Sequence, residues 1–72
     1  GADPLAELIT DERDRRLWDA VAALSSGERT AVILFYRQGM GVNDIASAVG
    51  VSAGTVKTLL FRGRQKLRKE PL

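Results

Sequence analysis

Between residues 57 and 69 the chain carries six lysine and arginine residues and no acidic residue, a composition suited to binding anions. Hydroxyl and amide side chains lie among or beside these cations at Thr55, Thr58 and Gln65, together with the aromatic Phe61. Cations bind phosphate groups, while hydroxyl, amide and apolar side chains contact base edges, so this combination suits a nucleic-acid groove. The alternative is a solvated basic helix end, because cations near a helix C-terminus also offset the helix dipole.

A helix from Ser52 to Arg68 must position these side chains. Ser52 can cap its first turn with the hydroxyl group. At about 100° per residue, one apolar stripe forms along this helix, and it consists of Val56, Leu60, Gly63 and Leu67. We expect the stripe to face a core and the cations, hydroxyls and Phe61 to face outward.

A shorter helix is predicted directly before it, over residues 42–49. Gly50 follows, where a left-handed residue commonly ends a helix. Two helices joined by a tight turn containing glycine, the second of them basic, form a helix-turn-helix motif, in which the second helix lies in the major groove of DNA. The predicted core of this motif consists of Ile45, Ala46, Val49, Val56 and Leu60.

Two further helices are predicted upstream. The first begins near Thr10 and has one apolar side, formed by Leu17, Ala20, Val21 and Leu24. The second runs from about residue 26 to Gln38, because Ser25 and Glu28 fit a capping box and Gly39 ends the pattern. Its six successive apolar residues, 31–36, suit either the central helix of a bundle or a helix that presents one face to a partner. Trp18 is either a core residue or an exposed aromatic.

Composition limits the other functions. A chain of 72 residues forms one domain with a small core. Without cysteine or histidine it has no disulfide, thiolate, histidine-ligated metal or histidine-dependent triad. We therefore expect no enzyme activity, cofactor, metal or small-molecule substrate. No apolar run approaches the roughly eighteen residues of a membrane helix, and no signal peptide is recognisable, so a cytoplasmic protein without membrane contact is expected.

Charge is unevenly distributed along the chain. Residues 1–36 carry seven acidic and four basic residues, whereas residues 37–72 carry seven basic and two acidic residues. Such asymmetry between halves is a recognised indication of nucleic-acid contact. The second half is therefore the candidate DNA-binding half.

Three segments carry a resemblance to a known family: 39–46, 49–58 and 62–68. With Gly54-Thr55-Val56-Lys57 and the later Arg-x-Arg-x-x-Leu-Arg pattern, they resemble region 4 of bacterial sigma factors of the extracytoplasmic-function (ECF) group. The resemblance covers about residues 17–68. It implies an all-α, four-helix helix-turn-helix domain of the sigma region 4 type, related to winged-helix proteins but without a wing.

The same resemblance implies binding of double-stranded promoter DNA at the −35 element and docking on core RNA polymerase. An anti-sigma factor is a further candidate partner. The residues then expected to contact DNA are Ser52, Gly54, Thr55, Lys57, Thr58, Phe61, Arg62 and Gln65.

This chain departs from the family pattern at three positions. Gly41 replaces the usual capping serine, which is a weaker but acceptable cap. Leu59 replaces a frequent arginine and so removes one expected DNA contact. Gly63 replaces the usual alanine, which loosens the helix by up to about 1 kcal/mol but permits close approach of a neighbouring helix.

The predicted organisation is a leader over 1–10, the helix-turn-helix domain over 11–69 and a tail over 70–72. Two other interpretations fit the same motif. One is the helix-turn-helix effector domain of a response regulator, which shares the Thr-Val-Lys pattern but usually has a less basic helix end. The other is a protein-interaction module that no longer binds DNA, which Leu59 would suit.

Overall fold

A computed structural model describes residues 12–68, with side chains from residue 15 onward, so the predicted leader and tail lie outside the described residues. The fold is all-α, as predicted, and this part of the chain has no strand. Its four helices are α1 (Glu12–Ala22), α2 (Ser26–Val32), α3 (Val42–Val49) and α4 (Ala53–Arg68). A π-helical turn, Ile33–Arg37, continues α2.

Side-chain caps explain where two of the helices, α2 and α4, begin. The Ser25 hydroxyl accepts a hydrogen bond of 3.3 Å from the Glu28 amide, and the Glu28 carboxylate accepts one of 3.2 Å from the Ser25 amide, which confirms the predicted capping box of α2. Gly41 is the N-cap of α3 and supplies no side-chain bond. At α4 the Ser52 hydroxyl accepts from the Thr55 amide at 3.1 Å, which confirms the predicted cap.

The end of α2 differs from the prediction of one α-helix to Gln38. Over the last turn the amide of Gln38 donates to the carbonyl of Ile33 at 3.2 Å, five residues earlier. The helix then stops at Gly39, whose φ of +70° is readily adopted by glycine. A periodicity of 3.6 residues per turn cannot anticipate this wider turn, because the π-helix accommodates an extra residue.

The core lies where α1, α2 and α3 pack around α4. On α4 the predicted stripe is correct, since Val56, Leu60 and Gly63 are buried and Leu67 is half-buried. The remaining core side chains are Ala20, Val21, Leu24, Ala31, Val32, Ile45 and Ala46. Leu24, the last residue of the predicted apolar side, belongs to the core although α1 already ends at Ala22.

One predicted core residue is wrong. Val49 is 44% exposed, whereas Ile45 and Ala46 of the same helix are buried. Val49 is the last residue of α3, and the chain turns at Gly50, whose φ is +82°, before α4 begins. Helical spacing alone places Val49 on the buried side of α3. The apolar side of α3, however, continues past the point where this helix packs on its neighbours.

None of the four described helices is by itself long and apolar enough to cross a membrane.

Candidate nucleic-acid interface

The outward side of α4 carries the side chains that the sequence predicts for DNA contact. The structure places all eight on the solvent-exposed surface of α4 and its cap: Ser52, Gly54, Thr55, Lys57, Thr58, Phe61, Arg62 and Gln65. Phe61 is 57% exposed, so its ring is accessible to a contact from solvent. The arrangement follows directly from the buried stripe, which fixes the rotation of α4.

The corner between α3 and α4 has the geometry of a helix-turn-helix motif. The helix axis changes direction by 106° between α3 and α4, within the range of about 90–120° that is typical of this motif. Gly50 makes the turn in the left-handed conformation, as predicted. Val56 is fully buried and Ile45 is 1% exposed, so the two helices of the corner pack closely on their inner side.

The first turn of α4 forms an open polar surface. The hydroxyl groups of Ser52 and Thr55 are 3.0 Å apart and hydrogen-bonded, in addition to the capping bond. A β-carbon on Gly54 would meet only Ser52 Oγ, at 3.8 Å, so no side chain covers the backbone there. A helix N-terminus with accessible amides and a favourable dipole suits an approaching phosphate.

Leu59 occupies the position where the family frequently has arginine. It is half-buried at the edge of the core. A β-carbon on Gly27 of α2 would lie 3.2 Å from Leu59 Cδ2, so the Leu59 side chain covers the first turn of α2. At this position the chain uses an apolar contact within the domain instead of a cation.

An ion pair joins α4 to α2 beyond the predicted DNA surface. Lys66 Nζ lies 2.7 Å from Glu28 Oε1, and Glu28 is only 5% exposed. The hydrogen bond from Lys66 lowers the pKa of the Glu28 carboxyl, while burial acts in the opposite direction. Sequence reasoning missed this pair, because the two residues are 38 positions apart and no local pattern connects them.

A second surface lies between α1, the π turn and the end of α4. It is an open groove of about 670 Å³, and α1 and the π turn contribute Leu17, Trp18, Val21, Ile33, Tyr36 and Arg37 to it. The guanidinium of Arg37 lies over the Trp18 ring, 5.2 Å from its centroid, in a cation–π arrangement. Trp18 is half-buried, so it both packs against the core and lines the groove.

These features define a helix-turn-helix domain with one basic polar surface and one apolar groove. The profile of the family described as "Sigma-70, region 4" matches residues 14–67. The chain belongs to this sigma-70 region 4 family, within the ECF group.

Individual relatives agree with this assignment. The chain is 35% identical over 68 residues to the RNA polymerase sigma-E factor of Streptomyces coelicolor. The aligned region covers 93% of this chain and 38% of that protein. Identity to the ECF RNA polymerase sigma factor SigE of Mycolicibacterium smegmatis is 41% over 70 residues, 92% of this chain and 26% of the relative. The chain is 29% identical over 70 residues to the ECF RNA polymerase sigma factor SigW of Bacillus subtilis, and this alignment covers 97% of this chain and 37% of the relative.

The chain thus spans between 26% and 38% of the length of these three relatives. The matches favour the sigma interpretation over the response-regulator interpretation of the same motif.

Proposed function

We propose that this domain recognises the −35 element of a promoter for a sigma factor that acts with RNA polymerase. The observation that carries the proposal is the outward side of α4, which is basic, hydroxyl-bearing and exposed, opposite a stripe of buried and half-buried residues in a helix-turn-helix corner. In this motif the second helix enters the major groove and the first crosses the backbone. α4 is therefore the reading helix and α3 the supporting one.

The exposed side chains of α4 divide by chemistry into two roles. Lys57 and Arg62 are suited to phosphate oxygens, which fix the position of the domain on DNA without reading sequence. Thr58, Phe61 and Gln65 are suited to base edges, where a hydroxyl or amide forms hydrogen bonds and an aromatic ring contacts a thymine methyl group.

Duplex binding over a salt series tests this proposal. Lys57→Ala and Arg62→Ala should each weaken binding and lower the slope of log K against log salt by about 0.9. Arg37→Ala is the matched control, because it removes one charge from the groove instead of from α4. An interaction module that does not bind DNA would show no salt-dependent binding in any of these proteins.

Base preference needs a separate measurement. We expect Thr58→Ala and Phe61→Ala to change which sequences are selected from a randomised duplex pool, with a smaller effect on salt dependence. An unchanged selected sequence in both variants would mean that bases are read elsewhere.

The groove is our candidate for docking on core RNA polymerase. Its apolar wall and the cation of Arg37 beside it are suited to an amphipathic helix that carries an acidic residue. An anti-sigma factor covering the same wall would compete with polymerase. Arg37→Glu should weaken polymerase binding while leaving the fold intact, and unchanged binding would remove the groove from the polymerase contact.

A further inference from the structure

Arg64 lies on α4 but is not among the residues predicted to contact DNA. Its side chain is hydrogen-bonded to a side chain of the π turn. Its Nη1 donates a hydrogen bond of 3.1 Å to the hydroxyl of Tyr36, in the π turn. Both side chains are exposed. We propose that Arg64 binds a DNA phosphate and that Tyr36 is the residue that positions it. This proposal rests on the proposed DNA-binding function of α4.

The charge of Arg64 is available to an anion because its partner is neutral. Two residues later, the charge of Lys66 is already paired with Glu28. In the part of the chain that the structure describes, Arg64 forms no such pair with a carboxylate, and α4 itself contains no acidic residue. A guanidinium has five N–H donors in a planar fork, so the bond to Tyr36 leaves donors for a phosphate.

The position of Arg64 on α4 agrees with a backbone contact. It follows Lys57 by seven residues and precedes Arg68 by four, so all three cations lie on one flank of the helix, beside its outward side. Lys57 and Arg64 are about 10.5 Å apart along the helix axis, from the rise per residue. A helix in the major groove has a phosphate backbone along each flank, and this row of cations would follow one of them.

Tyr36 is suited to positioning because its ring has a packing contact of its own. It packs edge-on against the ring of Phe35, with centroids 5.0 Å apart and an interplanar angle of 72°. A free arginine loses rotamer freedom when it binds a phosphate, and a hydrogen bond made beforehand reduces that loss. The π turn thereby supports a residue that α4 would use on DNA.

The test measures binding of a fluorescein-labelled duplex of mixed sequence by anisotropy across a potassium chloride series, since phosphate contacts do not depend on sequence. We expect Arg64→Gln to weaken binding and to lower the salt slope by about 0.9. Tyr36→Phe keeps the charge, so the slope should be retained while affinity falls about two- to tenfold, as expected for one hydrogen bond. The double variant should bind like Arg64→Gln alone, because Tyr36 acts through Arg64.

Lys66→Gln is the charge-matched control, because it removes a cation that is already paired, and its slope should change less than that of Arg64→Gln. Circular dichroism establishes that each variant is folded. This inference is overturned if Arg64→Gln retains the wild-type salt slope. It is also overturned if Tyr36→Phe still lowers DNA affinity in the Arg64→Gln background. In either case the proposed function of α4 stands as long as Lys57→Ala weakens DNA binding. Absence of salt-dependent binding by the wild-type chain overturns both proposals.

Discussion

Gly63 of α4 lies against Val32 of α2 so closely that a β-carbon on Gly63 would come within 2.8 Å of Val32 Cγ2. Both residues are buried, and valine is stiff at χ1, so the neighbouring side chain cannot easily move away. The glycine at this position therefore allows the two helices to approach as closely as they do.

We expect Gly63→Ala to destabilise the domain, although alanine is the better helix former. Overpacking costs about 1–3 kcal/mol, which exceeds the gain of up to about 1 kcal/mol in helix propensity. Urea unfolding monitored by circular dichroism measures the difference. Gly54→Ala in the same helix is the control and should not destabilise, since a β-carbon there meets no atom closer than 3.8 Å. If Val32→Ala fails to relieve the cost of Gly63→Ala, the proposed clash is not its cause.

The ion pair of Glu28 and Lys66 should make stability depend on pH in the acidic range. The pKa of Glu28 is lowered from 4.5 in the folded state, chiefly by the hydrogen bond from Lys66. The Glu28 carboxylate therefore contributes to the stability of the folded state above pH 4.5. This contribution is lost as the pH falls through the lower pKa that Glu28 has in the folded state. Urea midpoints measured from pH 7 down to pH 3, at about unit intervals, should fall less steeply for Glu28→Gln than for the wild-type chain. Parallel curves for the two proteins would contradict this assignment.

Leu60→Ala should test the rotation of α4 about its axis. Leu60 is 3% exposed, and truncation of such a residue costs about 2–5 kcal/mol. In a domain of this size, that loss is expected to unfold a large fraction of the molecules at ordinary temperature. A thermal midpoint close to wild type would mean that the helix is rotated, and the outward-facing residues would change with it.

Leu59→Arg should restore a cation where the family frequently has one. We expect higher affinity for mixed-sequence DNA and a salt slope steeper by about 0.9, because one more phosphate is neutralised. The stem of an arginine can still cover Gly27 while its charged end reaches solvent, so the fold should persist. Leu59→Gln is the control, since it also replaces the leucine but adds no charge. An unfolded Leu59→Arg protein would show that Leu59 is required in the core.

The parts of the fold that depend on local chemistry could be predicted from the sequence. The capping box at Ser25, the cap at Ser52 and the left-handed Gly50 each follow from side-chain hydrogen bonding or backbone freedom within a few residues. The buried stripe of α4 follows from helical periodicity, and it determines which residues face outward.

The features that depend on packing between distant segments could not be predicted. Tyr36 and Arg64 are 28 positions apart, and nothing in either local sequence indicates their hydrogen bond. The groove likewise forms only when α1, the π turn and α4 meet. Helical spacing places Val49 on the buried side of α3, yet Val49 is exposed, because burial also requires a neighbouring element beside that turn of the helix.

The placement of Trp18 gives this domain a built-in optical reporter. It is the single tryptophan of the chain, and it lines the groove beneath the guanidinium of Arg37. Indole emission shifts in wavelength and intensity when water is displaced or a nearby cation moves. Any molecule that enters the groove should therefore change the intrinsic fluorescence of the unlabelled protein, whereas DNA bound on the outward side of α4 should not displace water from this ring.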